Sequence, residues 1–129
     1  MARIVVVDDN GLIRQLVSGI LRSHGHTVIE AADGEEGFKT ALREVPDLIV
    51  TDFYMPRMTG SEMIIALGHS DKCVADIPII GLAGSLHAEK HLVDAGVFSY
   101  LPKPLNEKTL VAEVDKALSS RPVTLRTSP

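Results

Sequence analysis

A doubly wound α/β domain, with five parallel strands covered on both faces by helices, is the architecture this sequence predicts, and three features predict it. Several short segments are apolar throughout rather than alternating, as strands buried on both faces must be. Between them lie segments whose apolar residues recur at three- and four-residue spacing. The two kinds alternate five times with short connections, which favours right-handed crossovers and a parallel sheet.

Ile4 to Val7 is wholly apolar and β-branched, and Leu48 to Val50, followed by Thr51, is of the same type. Ile77 to Leu82 repeats it, Phe98 to Leu101 is a weaker copy, and Thr27 to Glu30 is a less buried fifth strand. Leu12, Ile13, Leu16, Val17, Ile20 and Leu21 mark one face of a first helix. Asp33 followed by Glu36 caps a second, with Phe38, Ala41 and Leu42 turned inward. Thr59 and Glu62 form a capping box ahead of Met63, Ile64, Ile65 and Leu67. Leu86 to Ala95 is a shorter helix, and Leu110, Val111, Val114 and Leu118 mark the last. Gly25 and Gly96 fall where a helix end calls for a left-handed residue. The pattern stops near Ser119, so residues 1–119 are expected to form the domain and residues 120–129 a flexible tail or the start of a linker.

With 129 residues, 45% hydrophobic and 23% charged, the chain suits one globular domain. A net charge of −4 without a run of Lys or Arg argues against direct nucleic-acid binding. The single Cys73 cannot form an internal disulfide, and no apolar run is long enough for a signal peptide or membrane span, so a cytoplasmic protein without membrane insertion is expected.

Ligands of open parallel sheets bind beyond the carboxyl ends of the strands. Asp8, Asp9 and Asn10 follow the first strand, and Asp52, Phe53 and Tyr54 the third. Ala83, Gly84 and Ser85 follow the fourth, and Pro102, Lys103 and Pro104 the fifth. Three carboxylates and one ammonium are thus expected on one rim. Any of these alone reads as a turn or a helix cap; their joint placement does not. Clustered carboxylates raise one another's pKa unless a cation compensates. Their hard oxygens suit Mg²⁺, with Asp9 and Asp52 as direct ligands, the backbone carbonyl of Tyr54 as another, and Asp8 acting directly or through water. Lys103 supplies a point charge for an anion such as phosphate. A metal beside an aspartate with a lysine opposite is the apparatus of phosphoryl transfer to a carboxylate.

Asp8 and Asp9 after the first strand, the run from Asp52 through Phe53, Tyr54, Met55, Pro56, Arg57, Met58 and Thr59 to Gly60, Ala95 and Gly96 with Tyr100, and Lys103 before Pro104 together resemble the receiver domain of two-component response regulators, of the chemotaxis-regulator type. The resemblance covers roughly residues 3–119. It implies a flavodoxin-like fold with strand order 2-1-3-4-5. It also implies phosphorylation of Asp52 by a sensor histidine kinase or phosphotransfer protein, with Asp8 and Asp9 supporting Mg²⁺ and Lys103 contacting the phosphoryl oxygens. A cis Lys103–Pro104 bond and an aromatic switch at Tyr100 are further implications. The module would catalyse at most its own phosphorylation and dephosphorylation. It would relay the signal to a downstream effector, or pair with a second copy, through the face of the last two helices and the fifth strand.

One position departs from the family. The residue after the fourth strand, usually Thr or Ser with a hydroxyl that bonds the phosphoryl group, is Ala83, and the stretch to Gly96 is short. Either the coupling hydroxyl is missing, which is the expectation adopted, or Ser85 substitutes for it. The alternative function is a pseudo-receiver, an interaction module with weak or no phosphorylation-dependent switching. An aspartyl phosphatase would need a second acid two residues after Asp52, where Tyr54 stands. A nucleotide or flavin module would not place two carboxylates on its first turn. His87 and His91, four apart, have the spacing of a zinc pair but no third ligand, and a surface helix face explains them.

Overall fold

The computed structural model describes residues 2–120. Eleven elements follow one another: β1 (Arg3–Val7), α1 (Gly11–Ser23), β2 (Thr27–Ala31), α2 (Gly34–Glu44), β3 (Leu48–Asp52), α3 (Gly60–Gly68), α4 (Lys72–Ala75), β4 (Ile79–Ala83), α5 (Leu86–Ala95), β5 (Ser99–Pro102) and α6 (Glu107–Ser120). The strands form one parallel sheet in the order β2-β1-β3-β4-β5, the predicted flavodoxin-like arrangement.

Successive side chains of a strand point to opposite faces, and the two cores divide accordingly. Val5, Val7 and Ile49 join Ala41 of α2, Met63 and Leu67 of α3, and Leu92 of α5 on one face. Ile4, Val6, Leu48, Val50, Ile80 and Leu82 join Val17 and Leu21 of α1 with Leu110 and Val114 of α6 on the other. Each fully buried aliphatic side chain contributes about 1.5–3 kcal/mol relative to leaving it in water. Among the described residues, no helix is long and apolar enough to cross a membrane.

The predicted caps are present. Asp33 accepts from the Glu36 amide at 2.8 Å. Thr59 and Glu62 exchange both bonds of their capping box, at 3.1 and 2.8 Å. Gly25 and Gly96 take φ of 88° and 101°, the left-handed conformation that ends a helix.

Some details differ from the sequence reading. Leu12 is 80% exposed and Leu16 also faces outward, because α1 beds on Val17, Ser18 and Leu21 and its apolar stripe is wider than its contact with the sheet. Leu42 and Ile65 likewise sit at the outer edges of their helices. β4 begins at Ile79 rather than Ile77: Pro78 has no N–H to give a ladder, although its carbonyl accepts from Ile49. β3 and β5 each run further toward the rim than expected, to Asp52 and Pro102. The single-turn helix α4, capped by Asp71, was not anticipated; with Val74 as its one buried residue it leaves no periodic pattern. α6 continues through Ser120, one residue past the expected boundary, and the rest of the expected tail, 121–129, lies outside the described residues.

Candidate functional site: an acidic rim faced by one lysine

Strand register sets the geometry of the rim. Val7 is paired with Thr51, so Asp8 and Asp52, one step further along neighbouring strands, stand level. Asp52 is paired with Leu82 and Ala83 with Pro102, which puts Lys103 at the same end of the sheet. The structure thereby brings Asp8, Asp9 and Asp52 together, with one carboxylate oxygen from each within 4.8 Å of the other two. Lys103 Nζ lies 3.0 Å from Asp52 Oδ1. The Lys103–Pro104 bond is cis, as the resemblance implied.

The turn from β1 to α1 is shaped by its own polar groups. Asn10 caps α1, its Oδ1 accepting from the amides of Leu12 and Ile13 at 3.0 and 3.2 Å, so neither aspartate is consumed as a cap. Asp8 Oδ1 accepts from the Asn10 amide at 2.9 Å. Asp8 Oδ2 is buried without a hydrogen-bond partner among the described residues. Burial first, then the Asp52 and Asp9 charges, push the Asp8 carboxyl above its ordinary value; the Asn10 amide and Lys103 pull it back only in part. A buried carboxylate oxygen with no donor, beside two further carboxylates, fits a hard divalent cation, whose charge would compensate all three.

Below the pocket, Gly60 lets α3 start against the end of β3: its amide donates to the Phe53 carbonyl at 2.8 Å, and a Cβ there would sit 2.3 Å from the Asp52 carbonyl oxygen. Tyr54 is 55% exposed, with its ring edge-on to Phe53 at a centroid distance of 4.6 Å. Ala83 is buried at the end of β4. The Ser85 hydroxyl accepts from the Ala88 amide at 3.1 Å and so serves as the N-cap of α5. Tyr100 lies on the outer side, lining a cavity of about 270 Å³ with Leu86, Glu89, Lys90, Val93 and Asp94. A hydrogen-bonding interaction with Glu89, and then that group's charge, raise the Tyr100 hydroxyl above its usual value.

Two features escaped the sequence reading. Arg14 donates through Nη1 to the Asp8 carbonyl at 2.7 Å and through Nε to Glu30 at 3.1 Å, tying the turn to β2. Its signal, a cation one helical turn into α1 after two acids, looks like any solvated helix residue. His87 and His91 are exposed on the face of α5, as expected, and both rings also pack against the aromatic residues that follow Asp52.

Comparison with known proteins agrees with this geometry. The response regulator receiver domain family matches residues 4–115. The chain is 37% identical over 113 residues to hybrid signal transduction histidine kinase D of Dictyostelium discoideum, covering 86% of this chain and 7% of that protein. It thus spans a small part of that curated relative, and 48% of the next. The solved structure of the chemotaxis response regulator CheY4 of Vibrio cholerae superposes with a TM-score of 0.82 at 34% identity, covering 91% of this chain and 98% of that one. The receiver domain of the sensor histidine kinase PA1611 from Pseudomonas aeruginosa PAO1, solved with a magnesium ion coordinated in its active-site cleft, superposes with a TM-score of 0.86 at 26% identity, covering 92% and 98%. Sheet order, rim and sequence match converge, and this chain belongs to the response regulator receiver domain family of two-component systems.

Proposed function

We propose that Asp52 accepts a phosphoryl group from a sensor histidine kinase or phosphotransfer protein. A carboxylate oxygen of Asp52 attacks phosphorus and forms the new O–P bond. The P–N bond to the donor imidazole breaks, and the departing nitrogen keeps the electron pair and takes up a proton. Lys103, held 3.0 Å from Asp52 Oδ1, shifts its charge onto the incoming phosphoryl oxygens. Mg²⁺, bound by the carboxylates of Asp8, Asp9 and Asp52 and the backbone carbonyl of Tyr54, would neutralise charge on the transferring group. The observation that carries the reading is the pairing of Lys103 with Asp52 beside Asp8, whose buried Oδ2 has no hydrogen-bond partner among the described residues. The magnesium ion in the PA1611 receiver supports the choice of cation.

Residues 1–119 act as the receiver unit in this reading, in the cytoplasm and without contacting nucleic acid. The signal leaves toward a downstream effector, or a second copy of the chain, through the face of α5, β5 and α6. Leu86, Val93 and Tyr100, all exposed there, support this. Incubation of wild type and Asp52→Ala with acetyl phosphate and Mg²⁺, followed by intact mass, tests the assignment. Wild type should gain one phosphoryl group and the variant none; equal gain by both removes Asp52 as the acceptor.

A second reading, an interaction module whose switching is independent of phosphorylation, is favoured by one observation. Ala83, buried at the end of β4, offers no hydroxyl.

A further inference from the structure

On the side of α5 away from Tyr100, four rings from two distant parts of the chain form one cluster. Phe53 and Tyr54 come directly after Asp52; His87 and His91 stand one turn apart on α5. His91 stacks on Phe53 at 5.5 Å with planes 21° apart, and His87 stacks on Tyr54 at 6.2 Å with planes 15° apart. His87 also meets Phe53 edge-on at 5.9 Å, and the two imidazoles meet each other at 4.3 Å. Phe53 is buried in the same core cluster as Ala88 and Leu92 of α5, which ties the rings to the core.

At roughly 100° per residue, Glu89 points roughly 160–200° round α5 from His87 and His91. Glu89 lies beside Tyr100, in the cavity it shares with Val93. The 10-residue helix thus meets the aromatic pair after Asp52 on one flank, through the exposed His87 and His91 rings, and borders Tyr100 on the other.

We propose that His87 and His91 are positioning residues that carry the coupling between Asp52 and the Tyr100 face, in place of a hydroxyl at Ala83. The inference rests on the phosphoacceptor reading and adds its route. A change at Asp52 displaces the Phe53–Tyr54 backbone, the stacked rings take α5 with them, and Glu89 and Val93 move against Tyr100. Displaced stacked rings must slide or unstack, and the offset-stacked and edge-on arrangements seen here resist both. Coupling of this kind needs an element with two arrangements biased from both ends, and α5 is the element that both ends touch.

The chain has two tyrosines, Tyr54 and Tyr100, one at each end of this route. With ¹³C-labelled tyrosine, NMR can follow both rings while beryllofluoride and Mg²⁺ are added as the phosphoryl mimic. In wild type both rings should shift. In His87→Ala/His91→Ala, Tyr54 should still respond while the ratio of shifted to unshifted Tyr100 falls about fivefold, the lower end of an allosteric coupling. His87→Phe/His91→Phe, which keeps the rings and removes their nitrogens, should restore the Tyr100 response. An undiminished Tyr100 response in the alanine variant overturns the route, as does failure of the phenylalanine variant to restore it. A wild type in which Tyr54 shifts and Tyr100 does not also overturns it, while leaving Asp52 as acceptor. If neither ring shifts in wild type, the phosphoacceptor reading falls and takes the route with it.

Discussion

Asp8→Asn isolates the electrostatic cost of the pocket. Asp8 is 1% exposed, its Oδ2 has no donor among the described residues, and Asp9 and Asp52 offer oxygens within 4.8 Å. In the variant, Oδ1 still accepts from the Asn10 amide, while the amide nitrogen replaces Oδ2 and can donate to the neighbouring carboxylates. An unsatisfied buried polar group costs about 1–3 kcal/mol, so without divalent cations at pH 7 the variant should be more stable by that amount. For a domain of this size the melting temperature rises by roughly 4 °C per kcal/mol. Magnesium should narrow the advantage: at ten times its dissociation constant a ligand stabilises by about 1.4 kcal/mol, and the variant, short of one carboxylate, should gain less than half of what wild type gains.

The pH dependence follows from the same group. The Asp8 carboxyl sits above the ordinary Asp value of 3.8, chiefly through burial. The folded chain therefore holds this proton more tightly than the unfolded chain, and the cost of the charge is present at neutral pH and relieved as pH falls through the raised value. The stability gap between variant and wild type should accordingly be widest near pH 7 and close as pH approaches 3.8. Thermal melts in EDTA and in MgCl₂ across that range measure it. If the variant melts below wild type in EDTA at pH 7, or if both gain equally from Mg²⁺, the account of an uncompensated buried carboxylate is wrong.

Gly60→Ala should lower the unfolding free energy, measured by urea denaturation, by about 2–3 kcal/mol, because the added Cβ meets the backbone oxygen of Asp52 at 2.3 Å and the Phe53 Cα at 3.2 Å, neither of which can give way cheaply. A loss below about 0.5 kcal/mol, the size of an ordinary surface change, would mean that the approach of α3 to β3 is not tight. Thr59→Ala removes the cap of α3 and should cost about 1 kcal/mol, with Thr59→Ser keeping most of it; equal losses in the two would exclude the hydroxyl as the cause. Glu89→Gln should lower the Tyr100 titration toward 10.0, read by tyrosine ultraviolet absorbance against the second tyrosine, and an unchanged titration would mean that the carboxylate does not reach the phenol.

How much was legible in the sequence depended on range. Ile4 to Val7 and Leu48 to Val50 announced buried parallel strands because their composition is itself the consequence of two-sided burial. Asp33, Thr59 and Glu62 announced helix starts because a cap is satisfied within four residues. The rim followed from a topological rule applied to strand ends, so Asp8, Asp9, Asp52 and Lys103 were placed together without any knowledge of their distances. The stacking of His87 and His91 on Tyr54 and Phe53 was not legible. It depends on how α5 lies across the loop after β3, which no local pattern encodes. The exposure of Leu12 and Leu16 was hidden for a related reason: periodicity gives the width of an apolar stripe, not how much of it the sheet covers.

The order of the sheet also sets how far each group of the rim must reach. β1 and β3 are neighbours, so Asp8 and Asp52 need no reach to meet. Lys103 comes from β5, which is separated from β3 by β4, so its side chain must cross the end of β4, a span of roughly two strand spacings or 9–10 Å. What lies under that crossing is Ala83 and Gly84. The Lys103 amide donates to the Ala83 carbonyl at 2.9 Å, and a Cβ on Gly84 would come within 3.8 Å of Lys103 Cδ. That distance is ordinary van der Waals contact, so the lysine stem passes over these residues without crowding, and neither of them brings a hydroxyl to the same place. The hydroxyl that does follow, on Ser85, is drawn into capping α5, because a helix that starts there without a cap would leave its first amides unpaired. Ion pair and cap are therefore both satisfied at the end of β4 with no polar side chain at residue 83, and the rings of Phe53 and Tyr54, directly after Asp52, meet those of His87 and His91 on α5.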